Sequence, residues 1–95
     1  MTERRDFEWD EAKAVSNLAK HGVPFAYAAL VFLDPDRVDF DASQPELAEV
    51  RRKAIGVIEG RVFAVVYTMR GTVIRIISAR RCNSKEARAY GSVHS

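Results

Sequence analysis

The side chains best able to do chemistry in this sequence are arginines. Eight of them, Arg51, Arg52, Arg61, Arg70, Arg75, Arg80, Arg81 and Arg88, fall in its second half. A guanidinium stays charged at any biological pH and presents a fork of donors that fits a phosphate, so several on one sheet face would make a phosphodiester site. Any one of them could instead cover apolar surface with its stem and leave its head in water. Eight are too many for that reading to hold for all. The run Lys20-His21-Gly22 adds an imidazole, which gives or takes a proton near neutral pH, and an ammonium that could contact phosphate. Cations also suit the negative end of a helix, which is the structural reading of the same pair. Glu49 near Arg51 offers a base or a carboxylate that orients an arginine; the simpler reading is a surface ion pair of little energy.

Other chemistries find less support. The two histidines, single cysteine and scattered carboxylates have no zinc-ligand spacing, and no glycine-rich phosphate loop is present. Ser78 has no base near it in sequence, and Cys82, between Arg81 and Asn83, reads as a packing residue more than a nucleophile. No cofactor is called for. At 95 residues, 47% hydrophobic and 29% charged, the chain is too apolar to be disordered, and residues 1–95 read as one domain with an ordered core of about 7–90. The longest apolar run, Ala28 to Leu33, is far short of the ~20 residues a membrane helix needs. The N-terminal residues show no apolar stretch behind their charges, so the sequence reads as a cytoplasmic protein with no membrane partner. The net charge of +2 hides a strong asymmetry: five basic against eleven acidic residues in 1–50, ten against two in 51–95. That points to a basic surface able to meet phosphate, beside an acidic remainder.

The elements that must position these groups follow from periodicity. Phe7-Glu8-Trp9 reads as a short strand, Asp10 as an N-cap, and Glu11 to Lys20 as a helix with Ala12, Val15, Leu18 and Ala19 at helical spacing and Gly22 as its stop. A second helix starts near Pro24 and buries Phe25, Ala28, Ala29, Phe32 and Leu33 before Asp34-Pro35-Asp36 ends it. Val38 to Asp41 alternates like an edge strand. Strands then run Arg52 to Ile58, Arg61 to Met69 and Thr72 to Arg80, joined at Glu59-Gly60 and Arg70-Gly71. Strict alternation groups Ile74, Ile76, Ser78 and Arg80 on one face of the last strand, with Val73, Arg75, Ile77, Ala79 and Arg81 on the other. Asn83 and Glu86 have the spacing of a capping box for a short third helix, Ser84 to Tyr90. The result is an α+β domain: an antiparallel β-meander, two N-terminal helices and a short C-terminal helix.

In order along the chain, Phe7-Glu8-Trp9-Asp10-Glu11-x-Lys13, Asn17-x-x-Lys20-His21-Gly22-Val23-x-Phe25 and Phe32-x-Asp34-Pro35 resemble the N-terminal half of the BrnT family. Glu49-x-Arg51, Ile55-Gly56, Gly60-Arg61, Val66-Tyr67-Thr68-x-Arg70, Ile74 to Arg81 and the closing Glu86 to Tyr90 are similar to its second half. The resemblance implies a RelE-like ribonuclease toxin of a type II toxin-antitoxin system. It also implies a BrnA-type antitoxin that neutralises the toxin as a hetero-oligomer and, through its own DNA-binding domain, brings the complex to operator DNA. Metal-independent RNA cleavage needs a base for the 2′-hydroxyl, positive charge on the phosphoryl oxygens and a donor to the leaving oxygen. On this reading Arg61, Arg70 and Arg80 form or border the phosphate site, and Glu49, His21 or Tyr90 move protons. Lys20, Arg51, Arg75 and Arg81 contact RNA. The competing reading is a non-catalytic module that binds RNA or antitoxin and acts only in operon autorepression.

Overall fold

The computed structural model describes residues 6–94, the side chains of 92–94 excepted. The charged segment 1–5 lies outside them. Five strands, β1 (Asp6–Trp9), β2 (Val38–Asp41), β3 (Arg52–Ile58), β4 (Arg61–Arg70) and β5 (Val73–Arg81), form one sheet in the order β1-β5-β4-β3-β2. The meander β3-β4-β5 is antiparallel, as its hairpin turns require, but β1 runs parallel to β5 and makes the sheet mixed rather than purely antiparallel. Parallel neighbours need a long crossover connection. Here almost the whole chain lies between them, a pairing no local pattern announces.

Helix α1 (Glu11–His21) begins at Asp10, whose Oδ2 accepts from Lys13 N at 3.0 Å, and ends at Gly22 in left-handed geometry with φ 70°. Its apolar positions face the wrong way for the stripe expected of it. Val15 and Leu18 are exposed, and the buried residue is Asn17. The amide of Asn17 donates to the carbonyls of Val23 (3.1 Å) and Ala79 (2.8 Å) and accepts from Ala79 N at 3.1 Å, tying α1 to β5. Complete hydrogen bonding is what makes this polar side chain tolerable inside.

The second helix is shorter than expected: α2 (Phe25–Ala28) passes into a 3₁₀ segment, Ala29–Leu33. The tighter three-residue turn brings Val31 and Phe32 into the core and turns Leu33 outward, 76% exposed. Phe25, Ala28, Val31 and Phe32 pack on Ala54, Ile58, Phe63, Val65, Tyr67, Ile74 and Ile76, with Phe32 edge-on to Tyr67 at 5.0 Å. The segment crosses β3 at Gly56, where a Cβ would lie 3.0 Å from Val31 Cγ1 and 3.1 Å from its carbonyl oxygen. Helix α3 (Ser84–His94) is longer than expected and covers part of the other sheet face. No helix among the described residues is long and apolar enough to cross a membrane.

A β-bulge in β5 overturns the strict alternation read from the sequence. Tyr67 pairs with Ile76 and Val66 with Ser78, leaving Ile77 as the extra residue. Beyond it the faces exchange. Ala79 and Arg81 join Ile74 and Ile76 on the helix-covered face, while Arg80 turns to the α3 side.

Candidate active site

One end of the sheet gathers reactive side chains from four elements. His21 is the last residue of α1, Tyr27 lies on α2, Glu59 and Gly60 form the β3–β4 turn, Arg61 opens β4, and Arg81 closes β5 opposite Phe63. His21, Gly22, Val23, Tyr27, Glu59, Arg61, Phe63 and Arg81 line an open cleft of about 520 Å³. The bulge is what turns Arg81 towards it.

Tyr27 packs edge-on against Phe63, ring centres 5.7 Å apart, and its hydroxyl donates to Glu59 Oε1 at 2.6 Å. The bond to the carboxylate, and secondarily burial, raise the Tyr27 pKa above the ordinary phenol value, so its hydroxyl remains a donor at neutral pH. Glu59 has φ 51° and Gly60 φ 80°. Two successive positive φ values suit a tight hairpin between twisted strands, but the first position favours Asn, Asp or Gly. Neither Arg61 nor Arg81 forms an ion pair among the described residues. The cleft therefore offers two uncommitted guanidiniums, an imidazole, a carboxylate and a phenol.

The other residues singled out from sequence lie elsewhere. Arg70 sits at the far end of β4, roughly 30 Å from Arg61 at the rise of an extended strand. It lines a second cleft, of about 350 Å³, with Glu49, Val50, Arg52, Thr68 and Met69. Glu49 lies 3.7 Å from Arg51, whose Nε is buried without a hydrogen-bond partner. Arg75 pairs with Glu8 of β1 at 2.7 Å. Lys20 is exposed in the last turn of α1, beside His21.

Arg80 is committed to α3. Its two terminal nitrogens grip Glu86 at 2.6 and 2.7 Å, Lys53 Nζ reaches the same carboxylate at 2.9 Å, and Asn83 N donates to it at 3.1 Å while Asn83 Oδ1 accepts from Glu86 N. The bonds from Arg80, then Lys53 and the Asn83 backbone, outweigh burial and hold the Glu86 carboxyl down at about 2. The expected capping box is present, with two cations added to it. Tyr90 donates to Asp34 Oδ2 at 2.8 Å, the same oxygen that accepts from Val57 N, so its hydroxyl anchors α3 to the loop after the 3₁₀ segment. Burial and the Asp34 contact push its pKa up to about 12. Burial likewise pushes the Cys82 thiol up to about 11, keeping it protonated at neutral pH and a poor nucleophile.

Of the residues expected to do chemistry, the fold thus assembles His21, Arg61 and Arg81. It separates Arg70, Arg80, Glu49 and Tyr90 from them. It adds Tyr27 and Glu59, which sequence reading took as helix and turn. The available signal was a glutamate where a tight turn prefers Asn or Gly. Among the described residues no three His, Cys, Asp or Glu side chains converge on a possible metal site.

No curated protein matches this sequence. A family model described as the ribonuclease toxin BrnT of type II toxin-antitoxin systems matches residues 9–86. That span takes in strands β2 to β5 and every residue lining the cleft; the chain belongs to the BrnT family of ribonuclease toxins.

Proposed function

We propose that the cleft between α1, α2 and the β3–β4 turn is where this toxin cuts RNA, internally and without a metal ion. The observation that carries the reading is that Arg61 and Arg81, both without ion pairs among the described residues, line one cleft with His21. The 2′-oxygen attacks the adjacent phosphorus as its proton leaves to a base, and the P–O5′ bond breaks to give a 2′,3′-cyclic phosphate. Arg61 and Arg81 neutralise the charge growing on the phosphoryl oxygens, and His21 acts as the acid that gives a proton to the departing O5′. Lys20 lies next to His21 and steers the approaching strand.

The RelE-like relationship belongs to the same proposal, supported by the helices α1 and α2 on one face of the sheet and α3 against the other. So does a BrnA-type antitoxin that binds the toxin in a hetero-oligomer and supplies the contact with operator DNA. Type II family membership calls for an antitoxin, and exposed Val15, Leu18, Leu30 and Leu33 give such a partner apolar surface to cover.

The test is incubation of the protein with a defined RNA in EDTA. Fragments ending in 2′,3′-cyclic phosphate or 3′-phosphate are expected, and Arg61→Ala or Arg81→Ala should each slow their appearance roughly 100-fold with thermal stability unchanged. RNA that is bound but left intact, or full rates in both variants, would overturn the proposal.

A further inference from the structure

The step above needs a base, and neither Glu49 nor Tyr90 is in the cleft. We propose that Glu59 accepts the proton of the attacking 2′-hydroxyl and that Tyr27 is the positioning residue that holds its carboxylate for the task. The proposal rests on the cleft being the site of cleavage. Three independent observations converge on Glu59. It occupies a left-handed backbone position, φ 51°, that disfavours any side chain of its kind, and such disfavoured conformations cluster where function requires a particular group.

Among the described residues its carboxylate is the sole acidic group lining the cleft, and it forms no ion pair with any of them although Arg61 is two residues away and lines the same cleft. The 2.6 Å bond from Tyr27 to Oε1 occupies one oxygen. Oε2 accepts no hydrogen bond from a described residue and is left for the substrate hydroxyl. Carboxylate and guanidiniums therefore stay available together, as a base and a phosphate clamp must.

The proton balance closes. Glu59 Oε2 takes the 2′-O–H proton as the O2′–P bond forms, and His21 releases a proton to O5′ as the P–O5′ bond breaks. Exchange with water then restores both groups.

Three variants separate the roles. Glu59→Gln keeps the shape and the acceptor for Tyr27 but cannot take a proton. It should cut the rate at least 100-fold, bind an uncleavable 2′-deoxy-substituted RNA as tightly as before, and lack the fall in rate on acidification that a carboxylate base predicts for the unmodified protein. Glu59→Gly places the residue that the turn prefers. It should be at least as heat-stable, lose the same activity, and regain part of it when formate is added as an external base. Tyr27→Phe should lower kcat about tenfold with KM unchanged, and should cost nothing further when combined with Glu59→Gln.

Wild-type rates in Glu59→Gln, or an acid limb that persists in it, would overturn the assignment of the base. If Arg61→Ala and Arg81→Ala lose activity in the same assay, that failure is confined to Glu59. If they too remain fully active, the cleft itself is not the site.

Discussion

The Asn17 amide does with three hydrogen bonds what an apolar side chain does by packing. It satisfies the carbonyl of Val23 and both backbone groups of Ala79, beside the β5 bulge that sends Arg81 towards the cleft. Asn17→Ala removes all three and leaves buried backbone groups without partners, so unfolding free energy should drop by about 2–4 kcal/mol. The midpoint of urea unfolding should shift at an unchanged slope, and RNA cleavage at a permissive temperature should fall as Arg81 loses its place. Arg80 makes a different point. Its fork would suit a phosphate as well as any other arginine's, yet the fold has filled it with the carboxylate of Glu86.

At the scale of elements, α3 is held by ions and hydrogen bonds more than by grease. Glu86 fastens its first turn to Lys53 and Arg80, and Tyr90 fastens its second to Asp34. The Glu86 carboxyl stands at about 2 in the folded protein against an ordinary 4.5. A group whose folded pKa is depressed contributes stability that is complete above the unfolded value and disappears as pH falls through the folded one. The helix should therefore lose its hold between about pH 4.5 and pH 2. The full shift corresponds to about 3 kcal/mol; with Arg80 35% and Lys53 28% exposed, solvent screening brings this nearer 2 kcal/mol. Acid titration of stability by circular dichroism should show this loss, and Glu86→Gln should be less stable at neutral pH and flat across the same window.

Over the whole molecule, the acidic first half is not a separate surface. Glu8 pairs with Arg75, and Asp39 meets Arg52 and the hydroxyl of Tyr67. With Glu86 holding Lys53 and Arg80, and Glu49 beside Arg51, half of the ten basic residues in 51–95 are engaged. Arg61, Arg70, Arg81, Lys85 and Arg88 form no ion pair among the described residues. The positive charge available to RNA is therefore local, and only Arg61 and Arg81 of this set line the cleft. Each phosphate neutralised on a single strand contributes a slope of about −0.7 to log K against log salt. Two or three contacts, from Arg61, Arg81 and Lys20, give a slope of about −1.4 to −2.1 for an uncleavable RNA, and Arg61→Ala should make it shallower by about 0.7. A slope near −5 would mean that RNA also runs to the Arg70 end of β4.

The sequence by itself determined the local elements, because caps, turns and side-chain periodicity act within a few residues. Asp10, Gly22 and the Asn83–Glu86 box mark helix ends, Glu59-Gly60 marks a hairpin, and alternation marks the strands of the meander. It also carried the family, whose motifs lie in order along almost the whole chain. Only the tertiary structure decided how those parts meet: that β1 runs parallel to β5, that α1 turns Asn17 inward and Val15 outward, and that one extra residue at Ile77 exchanges the faces of Arg80 and Arg81. These are contacts between residues some sixty positions apart, such as Asn17 and Ala79. Their free energy depends on partners that no local pattern contains. The candidate site shares that origin: its arginines and histidine were visible as types, but their meeting with Tyr27 and Glu59 exists only once four elements close around one end of the sheet.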